Sequence, residues 1–277
     1  MGLRIATNVA SINAQRNLSV NMFGQKQALA KLSSGYRINQ ASDDAAGLAI
    51  SENLKAKIKG LRQASRNGND GVSLVQVAEG GLNEISNMLV RLRELAIQAS
   101  SDTIGDTERK FVDVEYQQLK SEIERVSEVT EFNGRDLLNG TGGIMDIQIG
   151  VHNDPFKDRL SFNASAANAT LAALGITVEN CASKEAAQAS IGAVDGAIVS
   201  VNAIRANFGA MQNRLMSTIN NLAISDENYS AANSRIRDAD IANESAELAK
   251  HNILLNSGVS VLQQANTSQQ IALKLLS

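Results

Sequence analysis

The chain has 277 residues, 43% of them hydrophobic and 20% charged, which is enough to fold as one large domain or two modest ones. It contains one proline, no tryptophan and one cysteine, Cys181, so long helices are permitted, while an intramolecular disulfide framework and a zinc cluster are excluded. A formal net charge of −3 provides no basic surface for nucleic acid, and we expect no nucleic-acid partner.

The N-terminal segment predicts an amphipathic helix that ends near Gly35, a typical stop signal. Residues 1–8 show no charged segment followed by an apolar run, so we expect no Sec-type signal peptide. A polar connector follows at 36–44, with Ser42 and Asp43 as candidate N-caps of the next helix. The apolar stripe of the first helix, in steps of mostly three, four and seven, is Ile5, Val9, Ile12, Leu18, Met22, Leu29 and Leu32.

A very long helix is predicted next, over residues 44–100. Two rows repeat every seven residues, which is typical of a coiled-coil seam. Gly80-Gly81 would permit a break, but the register continues unshifted across the pair, so we expect one helix. The first row is Leu54, Leu61, Gly68, Val75, Leu82, Leu89 and Ala96. The second row is Ala64, Gly71, Ala78, Ile85, Leu92 and Ala99.

The segments after this helix predict a third helix and a β-hairpin. The third helix begins at Asp106 or Thr107 and ends at the turn 132–134; its stripe is Val112, Tyr116, Leu119, Ile123 and Val126. From Ile144 the apolar period changes to two, which predicts a hairpin over about 144–163. Residues 164–182 carry a weak pattern and predict a loop or short strands.

Two further helices are predicted in the last third of the chain. The first runs from a Ser183 cap to Leu222, and a connector at 225–240 separates it from the second. The stretch 252–273 has no charge but is too rich in amides and hydroxyls for a transmembrane helix, so we expect no membrane partner. The last helix has a seven-residue seam of Ile241, Leu248, Leu255, Leu262, Gln269 and Leu276.

Both chain ends are therefore single amphipathic helices, which are marginally stable alone in water. We expect the two terminal helices to pair with each other or with other subunits.

No catalytic, metal or cofactor site is predicted. Asp43 and Asp44 are adjacent carboxylates at a helix start, where capping explains them better than metal or acid–base chemistry. His152 and His251 each lack a neighbouring ligand set. Because no convergent polar set is visible, we expect a protein that is not an enzyme and that binds no cofactor.

Several long motifs resemble the bacterial flagellin family. The resemblance covers nearly the whole chain in order, but fewer residues than in most larger flagellins separate the hairpin from the fourth helix. The chain is therefore similar to a short, minimal flagellin without variable outer domains. The matching segments are 32–39, 41–51, 91–98, 130–134, 209–215 and 234–240.

The resemblance implies a mainly α fold, a long-helix coiled-coil rod. Residues 1–44 and 235–277 would form an inner two-helix coiled coil, and residues 45–234 an outer helical bundle with the hairpin. The implied function is a structural subunit of the extracellular flagellar filament, a helical homopolymer used for swimming. A flagellar hook–filament junction protein is the alternative, because it shares the terminal architecture.

The resemblance also implies partners and contact residues. Besides other copies of the chain, these partners are an export chaperone of a type III-like route, the filament cap and hook-associated proteins, and the host flagellin-sensing Toll-like receptor. The receptor-contact patch would be Arg91, Leu95 and Glu115. The expected polymerisation seam is Ile5, Val9, Ile12, Ile241, Leu248, Leu255 and Leu262.

Overall fold

The structure is a computed structural model that describes the backbone of residues 7–274 and the side chains of residues 7–268. The mainly α class and the long helices predicted from the sequence are confirmed. The helices are α1 (Val9–Ser34), α2 (Ala45–Ala99), α3 (Asp106–Val129), α4 (Leu171–Leu174), α5 (Lys184–Arg237) and α6 (Ile241–Lys274). The strands are β1 (Glu131–Phe132), β2 (Arg135–Asp136), β3 (Ile144–Gln148) and β4 (Arg159–Asn163).

The chain divides into two compact units. The terminal unit contains Met1–Ile58 and Asn228–Ser277, and the central unit is Lys59–Glu227. The divisions fall inside α2 and α5, whereas the sequence placed its boundaries after residues 44 and 234.

The seam of α2 is the axis of the central unit's core. From Val75 to Ala99, the residues of both predicted rows are inaccessible, and α2 is a single helix of 55 residues through Gly80-Gly81. The core gains Tyr116 and Ile123 from α3 and a stripe from Ala187 to Leu215 on α5. Both predicted rows of α2 are therefore confirmed in this unit.

Glycines on α2 let the neighbouring segments approach closely. A Cβ at Gly71 would lie 2.7 Å from Ile147 of β3, and one at Gly81 would lie 2.7 Å from Thr130 Oγ1. A Cβ at Gly68 would lie 2.9 Å from Ile219 of α5. The glycines therefore serve close packing.

Strands β3 and β4 form the predicted antiparallel hairpin, with Ile144 opposite Asn163 and Gln148 opposite Arg159. Its inner face contributes Leu160 and Phe162 to the core, where the Phe162 and Phe208 rings lie 5.3 Å apart.

A second, smaller hairpin was not predicted from the sequence. The segment expected to end the third helix pairs β1 with β2 in antiparallel register. Asn133 and Gly134 both have positive φ, 52° and 73°, as a two-residue type I′ turn requires.

One other expectation is wrong. Residues 225–237 are not a connector but the end of α5, because they contain neither glycine nor proline to stop the helix. Segment 164–182, expected to be a loop or short strands, is mostly loop; it contains a 3₁₀ turn (Ala164–Ala166) and the single-turn helix α4.

The N-terminus of α2 is capped one residue later than expected. Asp44 Oδ1 accepts from the Gly47 backbone N–H at 2.8 Å, so Asp44, not Ser42 or Asp43, satisfies the first turn. Asp43 instead accepts from the backbone N–H groups of Asn39 and Gln40, and these hydrogen bonds lower its carboxyl pKa. The structure thus gives both carboxylates local capping and turn roles.

Candidate interaction surfaces

In the terminal unit, α1 and α6 pack against each other in antiparallel directions. Three polar contacts join the two segments, and residues later in the first segment pair with residues earlier in α6. The contacts are Asn8 Nδ2 to the Ala265 carbonyl at 3.0 Å, Gln25 Nε2 to Asn252 Oδ1 at 2.6 Å, and Lys31 Nζ to Glu244 Oε1 at 3.1 Å.

Glycines set the closest approach between the two helices. A Cβ at Gly24 would lie 2.4 Å from His251 Cε1, so the imidazole occupies the space of a missing side chain. In the same way, a Cβ at Gly258 would lie 3.0 Å from Leu18 Cδ1. The His251 ring therefore has a packing role, and its Nδ1 is buried without a hydrogen-bond partner.

The face of α1 toward α6 differs from the stripe predicted from its large apolar residues. Val9 and Ile12, which the sequence placed on the seam, are 57% and 55% exposed. Small and polar side chains fill most of the contact face, so it carries little hydrophobic signal. The face, spaced in threes and fours, is Ser11, Ala14, Leu18, Asn21, Gln25, Ala28 and Leu32.

The predicted seam of α6 matches the contact face more closely. Leu248, Leu255 and Leu262 are half-buried, whereas Ile241 is 53% exposed. The second row of this face includes His251, Gly258 and the buried Ala265. Ile5 lies outside the described residues, as do the side chains of Gln269 and Leu276.

Large apolar side chains remain exposed on both terminal helices. Such side chains on exposed helix faces are typical of surfaces that await a partner. On α1 they are Val9, Ile12, Val20, Met22, Phe23 and Leu29. On α6 they are Ile241, Ile253, Leu254, Val259 and Val261.

Arg237, the last residue of α5, contacts both the connector between α1 and α2 and the first part of α2. Its guanidinium lies 4.8 Å from the centre of the Tyr36 ring and makes an ion pair with Glu52. The hydrogen bond from Arg237 lowers the pKa of the Glu52 carboxyl. The Arg37 backbone N–H donates to the Arg237 carbonyl at 2.7 Å, which ties the end of α5 to the connector.

The predicted receptor-contact patch is only partly a surface. Arg91 on α2 is half-exposed and donates to Glu115 of α3 and to Glu94, each at 2.9 Å. These hydrogen bonds raise the pKa of the Arg91 guanidinium. Leu95 is 1% exposed, so its inclusion in an external patch is wrong for the isolated subunit.

The burial of Leu95 has a clear geometric cause. It belongs to a third seven-residue row on α2, with Leu74, Gly81 and Met88, which lies beside the two predicted rows. A helix with three such rows contacts more than one neighbour, and Leu95 is part of that core.

Three buried titratable groups of the central unit, Tyr116, Lys120 and Cys181, lie on or beside α3. Lys120 Nζ donates to the carbonyls of Thr177 and Glu179, both at 2.8 Å, and desolvation lowers its pKa. Desolvation also raises the pKa of the Tyr116 hydroxyl and of the Cys181 thiol, each to about 12. The lysine thereby fastens segment 177–179 to the core, and the thiol is unreactive at neutral pH.

Metal-ligating side chains are scattered over the part of the chain that the structure describes, where no three His, Cys, Asp or Glu residues group together. His152 lies exposed in the β3–β4 loop.

One stretch of α5 is long and apolar enough to cross a membrane by length and composition, with a mean hydropathy of 1.2. The same helix supplies the core residues Val194, Val201 and Phe208.

Comparisons with known proteins agree with the resemblance seen in the motifs. Residues 5–142 match the family model described as bacterial flagellin N-terminal helical region. Residues 191–276 match the bacterial flagellin C-terminal helical region.

Full-length relatives and solved structures show the same likeness. The chain is 44% identical to a flagellin of Halalkalibacterium halodurans over 97% of this chain and 98% of that one. It is 41% identical to a flagellin of Bacillus subtilis over 99% and 100%. A crystal structure of Bacillus cereus flagellin matches with 34% identity and a TM-score of 0.51 over 57% of this chain and 88% of that one.

Proposed function

The chain belongs to the bacterial flagellin family and is a structural subunit of the flagellar filament, and on that premise we propose how its parts serve assembly. The observation that carries the proposal is the set of exposed apolar side chains on α1 and α6. Burying these side chains between subunits would release apolar surface from water and drive association. A helical polymer results when such contacts are heterologous and do not close into a ring.

The assembly experiment is electron microscopy of the purified chain at high salt. Long helical filaments are the expected result. Short rings would instead favour a hook–filament junction protein, and persistent monomers would contradict the proposal.

We assign residues 1–44 and 235–277 to an inner coiled coil of the filament and residues 45–234 to an outer bundle. The close α1–α6 packing supports the first assignment, and the large core around α2 supports the second. In this arrangement, the polymerisation surface uses Val9, Ile12 and Ile241 on outward faces. Leu248, Leu255 and Leu262 hold the two helices together, and Ile5 is assigned by sequence alone.

Before assembly, an export chaperone would cover the apolar side of α6. Exposed apolar stripes aggregate or polymerise unless they are covered, and a helix-in-groove partner is the usual solution. Removing residues 241–277 should therefore abolish chaperone binding while the central unit stays folded. Titration calorimetry of the full and shortened chains against the chaperone tests this; equal affinities would contradict it.

The proposed route of export and the place where the subunit joins the filament follow from the same assignment. The subunit would leave the cell by the type III-like flagellar route, without a Sec-type signal peptide, and join the filament beneath its cap and beyond the hook-associated proteins. We propose no catalytic role, since the family is structural.

A host flagellin-sensing Toll-like receptor would contact the exposed edge of α2 and α3. The supporting side chains are Arg91 and Glu115, both half-exposed, while Leu95 acts only from the core beneath them. Arg91→Ala should weaken the complex, because arginine anchors often dominate an interface. A receptor-reporter assay with pure monomer measures this effect. No response to the unmodified monomer would defeat the proposal.

A further inference from the structure

The loop between β3 and β4 presents one phenylalanine almost wholly to water. Phe156 is 93% exposed, whereas its neighbour Asp158 is buried. The loop is closed by its own hydrogen bonds: Asp154 Oδ1 accepts from the Phe156 and Lys157 backbone N–H groups, at 2.9 and 3.3 Å. Asp158 Oδ2 accepts from the Asp154 N–H at 3.1 Å. The aromatic ring is thus held at the tip of a preformed turn.

The same unit has an open groove, and no residue of the β3–β4 loop lines it. Its volume is about 560 Å³, and it is open to solvent. Its apolar wall consists of Gly71, Leu74, Phe132, Met145 and Ile147. Phe156 of the same chain does not line the groove, so the loop and the groove are both available to contact a second copy of the chain.

The charges at the two places are complementary. Asp70 and Asp146 lie at the groove with Arg135, and the acidic residues outnumber the basic one. Asp146 already accepts from Ser161 Oγ at 2.7 Å, whereas Asp70 makes no ion pair among the described residues. At the loop tip, Lys157 is highly exposed and holds Asp154 only at 3.7 Å. Lys157 is therefore a suitable partner for Asp70.

We propose that in the filament the β3–β4 loop of one subunit docks into this groove of a second copy of the chain. Phe156 enters against the apolar wall, and Lys157 pairs with Asp70. This inference rests on the proposed filament assembly and names one contact within it. A preformed turn loses little conformational entropy on docking, and a buried aromatic anchor often carries much of an interface's energy.

The first experiment measures the critical concentration for polymerisation of Phe156→Ser. Because the ring is exposed in the monomer, the thermal midpoint of the monomer should not change. The critical concentration should rise about tenfold or more, the effect of losing one interface anchor. An unchanged value would overturn the docking contact while leaving filament assembly itself intact, whereas failure of the unmodified chain to polymerise would refute assembly.

A charge exchange tests the proposed partner directly. Lys157→Asp and Asp70→Lys should each raise the critical concentration, and the double variant should return it close to the original value. Lys59→Asp, a charge reversal elsewhere on the exposed face of α2, is the matched control and should have a smaller effect. Two impaired single variants without rescue in the double variant would overturn the Lys157–Asp70 pair.

Cross-linking in mixed filaments identifies the occupant. Chains carrying Phe156→Cys are mixed with chains carrying Met145→Cys, polymerised and oxidised. The native Cys181 is fully buried, so it contributes no background. Disulfide-linked dimers should form in mixed filaments and not when Phe111→Cys replaces Phe156→Cys. Equal dimer yields in the Phe156→Cys and Phe111→Cys mixtures, or no dimer in either mixture, would overturn the proposal.

Discussion

The two units of this chain bury their helices in different ways. In the central unit, side chains such as Leu82, Leu89 and Leu92 are completely inaccessible, and one continuous core joins three long helices with the hairpin. In the terminal unit, the buried residues of α1 and α6 are alanines, while large apolar side chains such as Phe23 and Ile253 face water. The central unit therefore has a core of large apolar side chains, whereas the α1–α6 pair fully buries only small ones.

The same contrast appears in the polar contacts. Lys120 in the central unit is 5% exposed and donates to two carbonyls of a segment that it holds in place. On the α1–α6 face, Gln25 and Asn252 form an exposed hydrogen bond, which contributes little net stability in water. We infer that the α1–α6 pair is marginal in the monomer and becomes stable on assembly.

The largest expected effect is loss of core packing in the central unit. Leu89→Ala removes a fully buried side chain and should destabilise that unit by about 2–5 kcal/mol. Thermal unfolding followed by circular dichroism measures the loss. Ile97→Ala, on the exposed side of the same helix, is the control and should change stability by less than about 0.5 kcal/mol. Equal losses in both variants would refute the assigned core.

Leu255→Asp should separate assembly from folding. Leu255 is half-buried between α6 and α1, and a carboxylate there would have to be desolvated when the helices pair. We expect polymerisation to be lost while the thermal transition of the central unit stays the same. Asn256→Asp, which adds the same charge at a neighbouring exposed position, is the control. Normal filaments from Leu255→Asp at ordinary concentration would rule out the terminal coiled coil.

Two glycine-to-alanine changes should have opposite signs. At Gly24 the new Cβ would lie 2.4 Å from His251, and the resulting displacement should cost about 1–3 kcal/mol of helix pairing. At Gly80 nothing lies within 4 Å, so alanine should stabilise the helix by about 0.5–1 kcal/mol. Urea unfolding and filament dissociation curves measure the two effects. A stabilised α1–α6 pair in Gly24→Ala would contradict the close approach.

The smallest effect concerns acid. Hydrogen bonds from the Asn39 and Gln40 N–H groups lower the pKa of Asp43 below its ordinary value of 3.8 in the folded chain. The carboxylate therefore stabilises the connector above that value and loses this contribution as the pH falls through the folded pKa. Asp43→Asn should speed amide exchange of Asn39 and Gln40 at pH 7, and the difference from the unmodified chain should shrink below pH 3.8. A pH-independent difference would refute this role.

The sequence was sufficient for the central unit wherever burial and large apolar side chains coincide. The two rows of α2 were predictable because coiled-coil cores repeat every seven residues, and β3–β4 because its period is two. The third row containing Leu95 was not recognised, since it adjoins the others and includes a glycine. That omission made a core residue resemble a surface residue.

The terminal unit was less predictable for a physical reason. The face of α1 toward α6 consists mostly of small and polar residues, with Leu18 and Leu32, whereas most of its large apolar residues point away. A rule that places large apolar residues inside the chain selects the wrong face when those residues serve contacts with other chains. The end of α5 was missed because polar residues 225–237 suggested a connector, although no glycine or proline interrupts them.

Hydrogen exchange of the monomer and of the filament tests the difference between the units most directly. We expect amides of α1 and α6 to exchange fast in the monomer, while those of α2 between residues 74 and 99 exchange slowly. Assembly should slow exchange in α1 and α6 by orders of magnitude. Protection of α1 and α6 equal to that of α2 in the monomer, or no gain on assembly, would contradict the account.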